Sequence, residues 1–195
     1  MGLHEALRDA QAQGFLGPGP VEGAVAHALS FVDAVGDAAS VLDLGSGGGL
    51  PGLVVAAACP AARVTLLDAS ERRTDWLSRA VARLGWDQQV EVVPGQAEVL
   101  GHDPRWRASQ AAVVARSFAP PLVTAECAAG FLTDGGRLVV SEPPVPDASR
   151  WPADHLKSLG LRAVPWPDRR VMVLVQVHPC PIDVPRSRWV RGRTS

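Results

Sequence analysis

Asp43, Gly45, Gly47 and Gly49 occupy alternate positions directly after the apolar pair Val41–Leu42. A carboxylate followed by glycines at every second residue suits a backbone that must bind a small polar ligand. Glycine permits positive φ and lets a chain pass close to a bound group. Leu50 and Pro51 then open a helix, where a proline's missing N–H has no partner to lose. Strand, glycine loop and helix start together aim unpaired N–H groups and a helix dipole at a ligand. The segment reads as a nucleotide or nucleoside cradle. Its alternative is a tight strand–helix turn that binds nothing.

Spacing separates the kinds of cradle. A dinucleotide fingerprint would need glycine where Leu50 stands, and a phosphate-binding P-loop would need Gly-Lys-Ser/Thr in place of Leu50-Pro51. Asp43-x-Gly45-x-Gly47-x-Gly49 instead resembles motif I of class I S-adenosylmethionine-dependent methyltransferases. The resemblance implies cofactor contacts from Gly45, Ser46, Gly47, Gly49 and Leu50. It also implies that Asp43 accepts from the ligand's amino group, directly or through water. A second acid, Asp68, ends the apolar run Val64 to Leu67 and is followed by Ala69. At the carboxyl edge of an α/β sheet such an acid can accept from ribose hydroxyls. Equally, it can cap the next helix, a role also open to Ser70.

These residues need a scaffold, and the hydrophobic periodicity supplies one. Helices are predicted over 3–13 and 21–35, the second presenting Val25, Leu29 and Val32 on one face. Strands fit 40–44, 63–67, 90–93 and 111–115, separated by helices over 50–58 and 72–84. The unbroken apolar run Ala111 to Ala115 is typical of a parallel strand buried on both faces. A helix over 121–131 leads to Asp134-Gly135-Gly136, read as a turn before a strand at 137–141. A short helix at 152–159, a strand at 161–164 and another at 170–177 complete the alternation. This order predicts an α/β, Rossmann-like, mostly parallel doubly wound sheet with helices on both faces, ending in a hairpin-like pair.

Composition sets bounds. A chain of 195 residues with 47% hydrophobic content can bury the core of one domain. The expected division is a helical cap at 1–36, a cofactor-binding core at 37–180 and a basic tail at 181–195. No apolar run is long enough to span a bilayer, and no secretory signal is visible. Cys59, Cys127 and Cys180 lack metal or disulfide spacing, so no metal and a reducing cytoplasmic setting are expected. The net charge of −1 gives no global attraction for nucleic acid. Arg186, Arg188, Arg191 and Arg193 nevertheless crowd the end around Trp189. That cluster is either a phosphate-tracking, base-stacking tail or a solvated terminus.

The combination of Leu50-Pro51-Gly52-Leu53, Leu66-Leu67-Asp68, Glu71-Arg72-Arg73, Gln96-Ala97-Glu98 and Val114-Ala115-Arg116-Ser117-Phe118-Ala119 is more specific. It resembles the RsmG-type family, also called glucose-inhibited division protein B, which methylates N7 of a guanine in small-subunit ribosomal RNA. The resemblance implies S-adenosyl-L-methionine as cofactor and ribosomal RNA or the small ribosomal subunit as partner. It implies that Asp68 holds the ribose, that Ala97 and Glu98 frame the adenine, and that Arg116 sits where cofactor meets RNA. Read without the family, Arg116 is a lone charge after an apolar run. It needs a carboxylate or phosphate, or else a structural salt bridge.

Two departures accompany the match. Few residues precede the glycine loop, without the family's Asn-Leu-Thr signature, and Ser141-Glu142-Pro143-Pro144 stands where the family carries lysine then glycine. An anion there is expected to repel phosphate. Glu142-Pro143-Pro144 is not the Asp/Asn-Pro-Pro-aromatic motif, which follows the fourth strand and needs an aromatic where Val145 stands. His4, His27, His102, His155 and His178 have no Ser or Cys partner at a suggestive spacing and read as filler. Guanine N7 has a free lone pair and no proton to lose. No catalytic acid or base is therefore expected, only alignment, with Arg116 as the substrate-positioning residue. The alternatives are a relative that methylates another RNA or a small molecule, and a non-catalytic cofactor-binding module.

Overall fold

Two apolar stripes per strand, one for each face of a sheet, organise the protein. The computed structural model describes residues 1–145 and 147–186. Strands β1 (Ser40–Leu44), β2 (Arg63–Asp68), β3 (Val90–Pro94), β4 (Gln110–Ala115) and β5 (Leu132–Ser141) pair in parallel. Antiparallel β7 (Val171–Gln176) adds to β5, and β6 (Leu161–Val164) to β7. The order is β3-β2-β1-β4-β5-β7-β6. Strand order reverses between β1 and β4, which opens a crevice at the carboxyl ends of the parallel strands. This is the Rossmann-like class I methyltransferase fold.

Side chains alternate along each strand. Val41, Val64, Leu66, Ala112, Val114 and Val139 face α1 (Leu3–Ala12), α2 (Val21–Val35), α3 (Gly52–Ala58) and α4 (Glu71–Leu84). Leu42, Leu44, Leu67, Val113, Leu138 and Val140 face the other layer, which contains α5 (Ala97–Leu100), α6 (Pro121–Ala129) and α7 (Ala153–Ser158). Within residues 1–36, Leu7, Ala10 and Phe31 share one core with α3 and α4.

Three details differ from the sequence reading. In α2, the inward stripe is Val21, Ala28, Phe31, Ala34 and Val35, while Leu29 is 47% exposed. The Phe31 ring and the small alanines seat the helix closely, so the stripe rotates away from Val25–Leu29–Val32. Asp134-Gly135-Gly136 is not a turn before β5 but an irregularity within it, opposite the register shift at Gln110–Ala112. A Cβ on Gly136 would lie 2.9 Å from the Thr133 carbonyl and 3.1 Å from that of Gln110, so only glycine lets the strands approach there. Finally, α3 starts at Gly52 with Pro51 at its N-cap.

The end of the described chain is anchored. Arg107 donates to the carbonyls of Gly101, Cys180, Pro181 and Val184 at 2.7–3.0 Å. Arg186 is not part of a free basic tail: its guanidinium pairs in fork geometry with the fully buried Glu126, at 2.8 and 2.7 Å. Arg188, Trp189, Arg191 and Arg193 lie outside the described residues.

Candidate cofactor and acceptor site

The glycine loop is fastened before it can bind anything. Gly45 and Ser46 donate their N–H groups to the Leu67 carbonyl at 2.8 and 2.9 Å, tying the end of β1 to β2. Ser46 Oγ donates to the Asp43 carbonyl, and Gly49 N–H to the Ser46 carbonyl. Gly45 has φ 74°, and a Cβ there would stand 2.5 Å from the Phe118 ring. Both facts require glycine, since an L side chain resists that backbone region. The loop thus closes against the segment that follows β4.

Asp43 is fully buried beneath this loop. Its Oδ2 accepts the Gly52 N–H at 2.9 Å, and Oδ1 has no hydrogen-bond partner among the described residues. Burial pushes its pKa up to about 7, against the Gly52 N–H, Ser46 and Arg116, with Asp68 adding repulsion. A Cβ on Gly52 would fall 2.4 Å from Leu66 and 2.5 Å from Asp43 Oδ2. The glycine of Leu50-Pro51-Gly52 is therefore the seat of the Asp43 carboxylate. Asp43 and Gly49 support the loop from within: Asp43 holds the Gly52 N–H, and Gly49 donates to the Ser46 carbonyl.

Asp68 ends β2 with 5% exposure. Its Oδ2 accepts from Gly47 N–H at 2.8 Å and its Oδ1 from Ser70 N–H at 2.9 Å. Asp68 accepts from the Ser70 N–H, one residue before α4, and Ser70 makes no side-chain cap bond. Each carboxylate oxygen keeps a second lone pair. Asp68 also walls a cavity of about 110 Å³ together with Gly45, Ala69, Gln96, Ala97 and Glu98. The residues expected at the ribose and adenine end thus come together in one hollow, although β1–β2 and β3–α5 supply them separately.

The trough continues past the loop. Gly45, Ser46, Gly47, Leu50 and Arg116 line the next cavity, roofed by Phe15 and Leu16. Gln11 Nε2 donates to the Gly17 and Gly19 carbonyls, which fixes that roof. Its aromatic end is clamped as well: Phe15 meets Trp76 edge-on at 5.9 Å, and the Arg72 guanidinium lies 4.9 Å above the Phe15 ring. Arg116 Nη1 is buried without a hydrogen-bond partner among the described residues. Burial lowers the Arg116 pKa and the Asp43 charge opposes that shift. No salt bridge to Arg116 is found among the described residues, so Nη1 is a buried donor with no partner there.

Two residues stand differently from their reading in the sequence. Glu142 does not present a bare anion: its Oε1 accepts from Arg150 Nη1 at 2.9 Å and Trp151 Nε1 at 3.0 Å, with its side chain 3% exposed. Its charge is compensated locally, so the expected repulsion of phosphate has no free source. His27, read as filler, lines two cavities together with Arg116. Its sequence signal was weak: a lone histidine among alanines on α2, joined to β4 only by tertiary packing. Among the described residues no group of three His, Cys, Asp or Glu is placed to hold a metal ion. None of their helices is long and apolar enough to cross a membrane.

Adjoining cavities with Asp68 and Glu98 at one end, the glycine loop between them and the Arg116 guanidinium beyond have the elongated form that a nucleoside-bearing cofactor with an amino-acid tail would need. Comparisons with known proteins agree on the family. The model described as "GidB: rRNA small subunit methyltransferase G" matches residues 22–142. "Ribosomal RNA small subunit methyltransferase G" of Parasynechococcus marenigrum (strain WH8102) is 32% identical, over 78% of this chain and 65% of the relative. The protein of that name from Prochlorococcus marinus (strain NATL2A) is 35% identical, over 51% of this chain and 40% of the relative. The aligned chain thus spans between two-fifths and two-thirds of these relatives. Among solved structures, cofactor-bound Rv0187 from MTB superimposes with a TM-score of 0.62, covering 90% of this chain and 88% of that one at 21% identity. That likeness is one of fold. Taken with the Leu-Pro-Gly seat of Asp43, the match over residues 22–142 identifies the chain as a member of the GidB family.

Proposed function

We propose that this chain is an S-adenosylmethionine-dependent methyltransferase acting on N7 of a guanine in small-subunit ribosomal RNA. One observation carries the transferase reading: two adjoining cavities that share Gly45, Arg73 and Ser117 lead from Asp68 and Glu98, past the glycine loop, to the buried donor of Arg116. Asp68 would accept from ribose hydroxyls with its remaining lone pairs, and Ala97–Glu98 would flank the base. The loop and Arg116 would face the amino-acid end and the acceptor. The cofactor, when bound, supplies a methyl group already activated on a sulfonium. The chain's contribution is alignment, worth several kcal/mol in reactions of this kind. A guanine N7 needs no base, so the residues have only to hold it in line.

The ribosomal RNA target rests on the names of the relatives, and guanine N7 on the family resemblance. A second reading, another RNA or a small acceptor, is favoured by Glu142. Where the family carries a lysine, this acceptor wall carries a carboxylate that accepts from Arg150 and Trp151, so the position itself offers phosphate no cation. Tritium transfer from labelled cofactor to unmodified small ribosomal subunits, run beside a small-metabolite extract, tests both readings. Label in the ribosomal RNA is expected. Label in the metabolites alone would select the second reading, and calorimetry showing no cofactor binding would remove both.

A further inference from the structure

Two cavities beyond the glycine loop share the same pair of walls, Arg116 and His27. One is lined by Leu16, Val21, Ala24 and Leu50. The other runs under Phe118 toward Ser141 and Glu142. Arg116 also walls the loop cavity itself, so the pair stands at the passage from acceptor to cofactor.

The two side chains make opposite hydrogen-bonding demands. A guanidinium can only donate, and Arg116 Nη1 is buried with nothing to donate to. It needs an acceptor oxygen. His27 Nε2 lies 3.4 Å from the Arg170 carbonyl. A carbonyl only accepts, so Nε2 carries the proton and Nδ1 is a bare lone pair. Burial lowers the His27 pKa, with Arg116 and Arg170 adding to the effect against the Arg170 carbonyl and Asp168, which keeps the ring neutral. An edge contact with Phe31, centroids 5.7 Å apart, holds its plane. His27 therefore demands a donor.

An acceptor oxygen beside an N–H donor is a lactam edge. Guanine carries it as O6 and N1–H, with N7 on the other flank of O6, whereas adenine has an amino donor in place of O6 and a bare N1. Resting on the methyltransferase reading above, we infer that His27 is a specificity-determining residue, accepting guanine N1–H while Arg116 donates to O6. The pair selects guanine over adenine and turns N7 toward the loop cavity. No proton moves in the transfer. The N7 lone pair forms the bond to the methyl carbon, the carbon–sulfur bond breaks with its electrons on sulfur, and the positive charge passes to the purine.

The test uses the full chain, tritiated cofactor and unmodified small ribosomal subunits, with product nucleosides separated. Wild type is expected to give 7-methylguanosine. His27→Leu removes the acceptor at similar size and is expected to lower kcat/KM for the subunit by about tenfold, the scale of one lost hydrogen bond. Its cofactor affinity in calorimetry should not change. His27→Asn, whose Oδ1 can stand in for Nδ1, should recover most of the loss. If His27→Leu stays within about twofold of wild type, well below the loss of one hydrogen bond, the inference fails while the methyltransferase reading stands. It fails also if His27→Asn binds cofactor normally yet recovers nothing. A wild type that makes no 7-methylguanosine would overturn the guanine reading itself, and the inference with it.

Discussion

Asp43 combines full burial, one N–H bond and an oxygen with no hydrogen-bond partner among the described residues, and this makes it the most pH-sensitive residue described near the site. Its pKa is raised to about 7 in the folded protein, whereas an unfolded chain holds aspartate near 3.9. Between those values the folded state binds more protons than the unfolded state, so stability falls as pH rises. The contribution of the protonated form is complete below the unfolded pKa and is lost on passing through about pH 7. Asp43→Asn keeps an oxygen for Gly52 N–H and cannot ionise. Denaturant melts from pH 4 to 8 should therefore show wild type losing stability over that range and Asp43→Asn losing measurably less. Identical slopes would mean that Asp43 stays ionised under the loop. The sequence marked Asp43 as a ligand contact because its place before the glycines is visible. Its burial depends on Gly52 and Leu66 closing over it, which no local pattern reveals.

At the scale of elements, the strand–loop–helix unit tolerates almost no added volume. Gly52→Ala would put a methyl group among Leu66 and Asp43, closer than real Cβ atoms come. It should cost about 1–3 kcal/mol, the usual range for overpacking a closed core. A urea melt measures the loss. A variant within a few tenths of wild type would show that α3 can slide on β2. Elements whose signal is local were legible: β2 and β4 are continuous apolar runs, and α4 repeats Trp76, Leu77, Val81 along one stripe. Those set by a partner were not. The face of α2 was misread because Phe31 outweighs Leu29 only once α3 is beside it, and Gly135–Gly136 resembled a turn because their reason lies in β4. The residues proposed for the cofactor stood out because they lie at or just after the ends of strands. His27 did not, because the cavities it shares with Arg116 join α2 to the distant end of β4.

Across the whole molecule, the C-terminal segment closes the packing under α6. Arg186 meets the fully buried Glu126 through both carboxylate oxygens. Arg186→Ala should destabilise the protein by about 1–3 kcal/mol, less than a fully enclosed pair would lose because Arg186 is partly exposed. A chain truncated before Arg186 should melt lower than one truncated after it. If both shortened proteins melt alike, the pair carries no stability. Any test of the last arginines as a nucleic-acid tail should therefore begin at residue 187, since removing Arg186 disturbs the fold as well.

The four carbonyls gathered by Arg107 have a consequence for how the protein comes apart. A hairpin at the margin of a sheet ordinarily opens on its own, well before the centre. Here the segment leaving β7 returns to the loop before β4 and is held there by the Arg107 guanidinium and by His102, whose Nε2 lies 2.6 Å from the Pro185 carbonyl. The antiparallel margin and the parallel centre are thereby joined into one cooperative unit. Native-state hydrogen exchange should find the amides of β7 and β4 opening with similar free energies, where a sheet without this clasp would show a graded order from rim to middle.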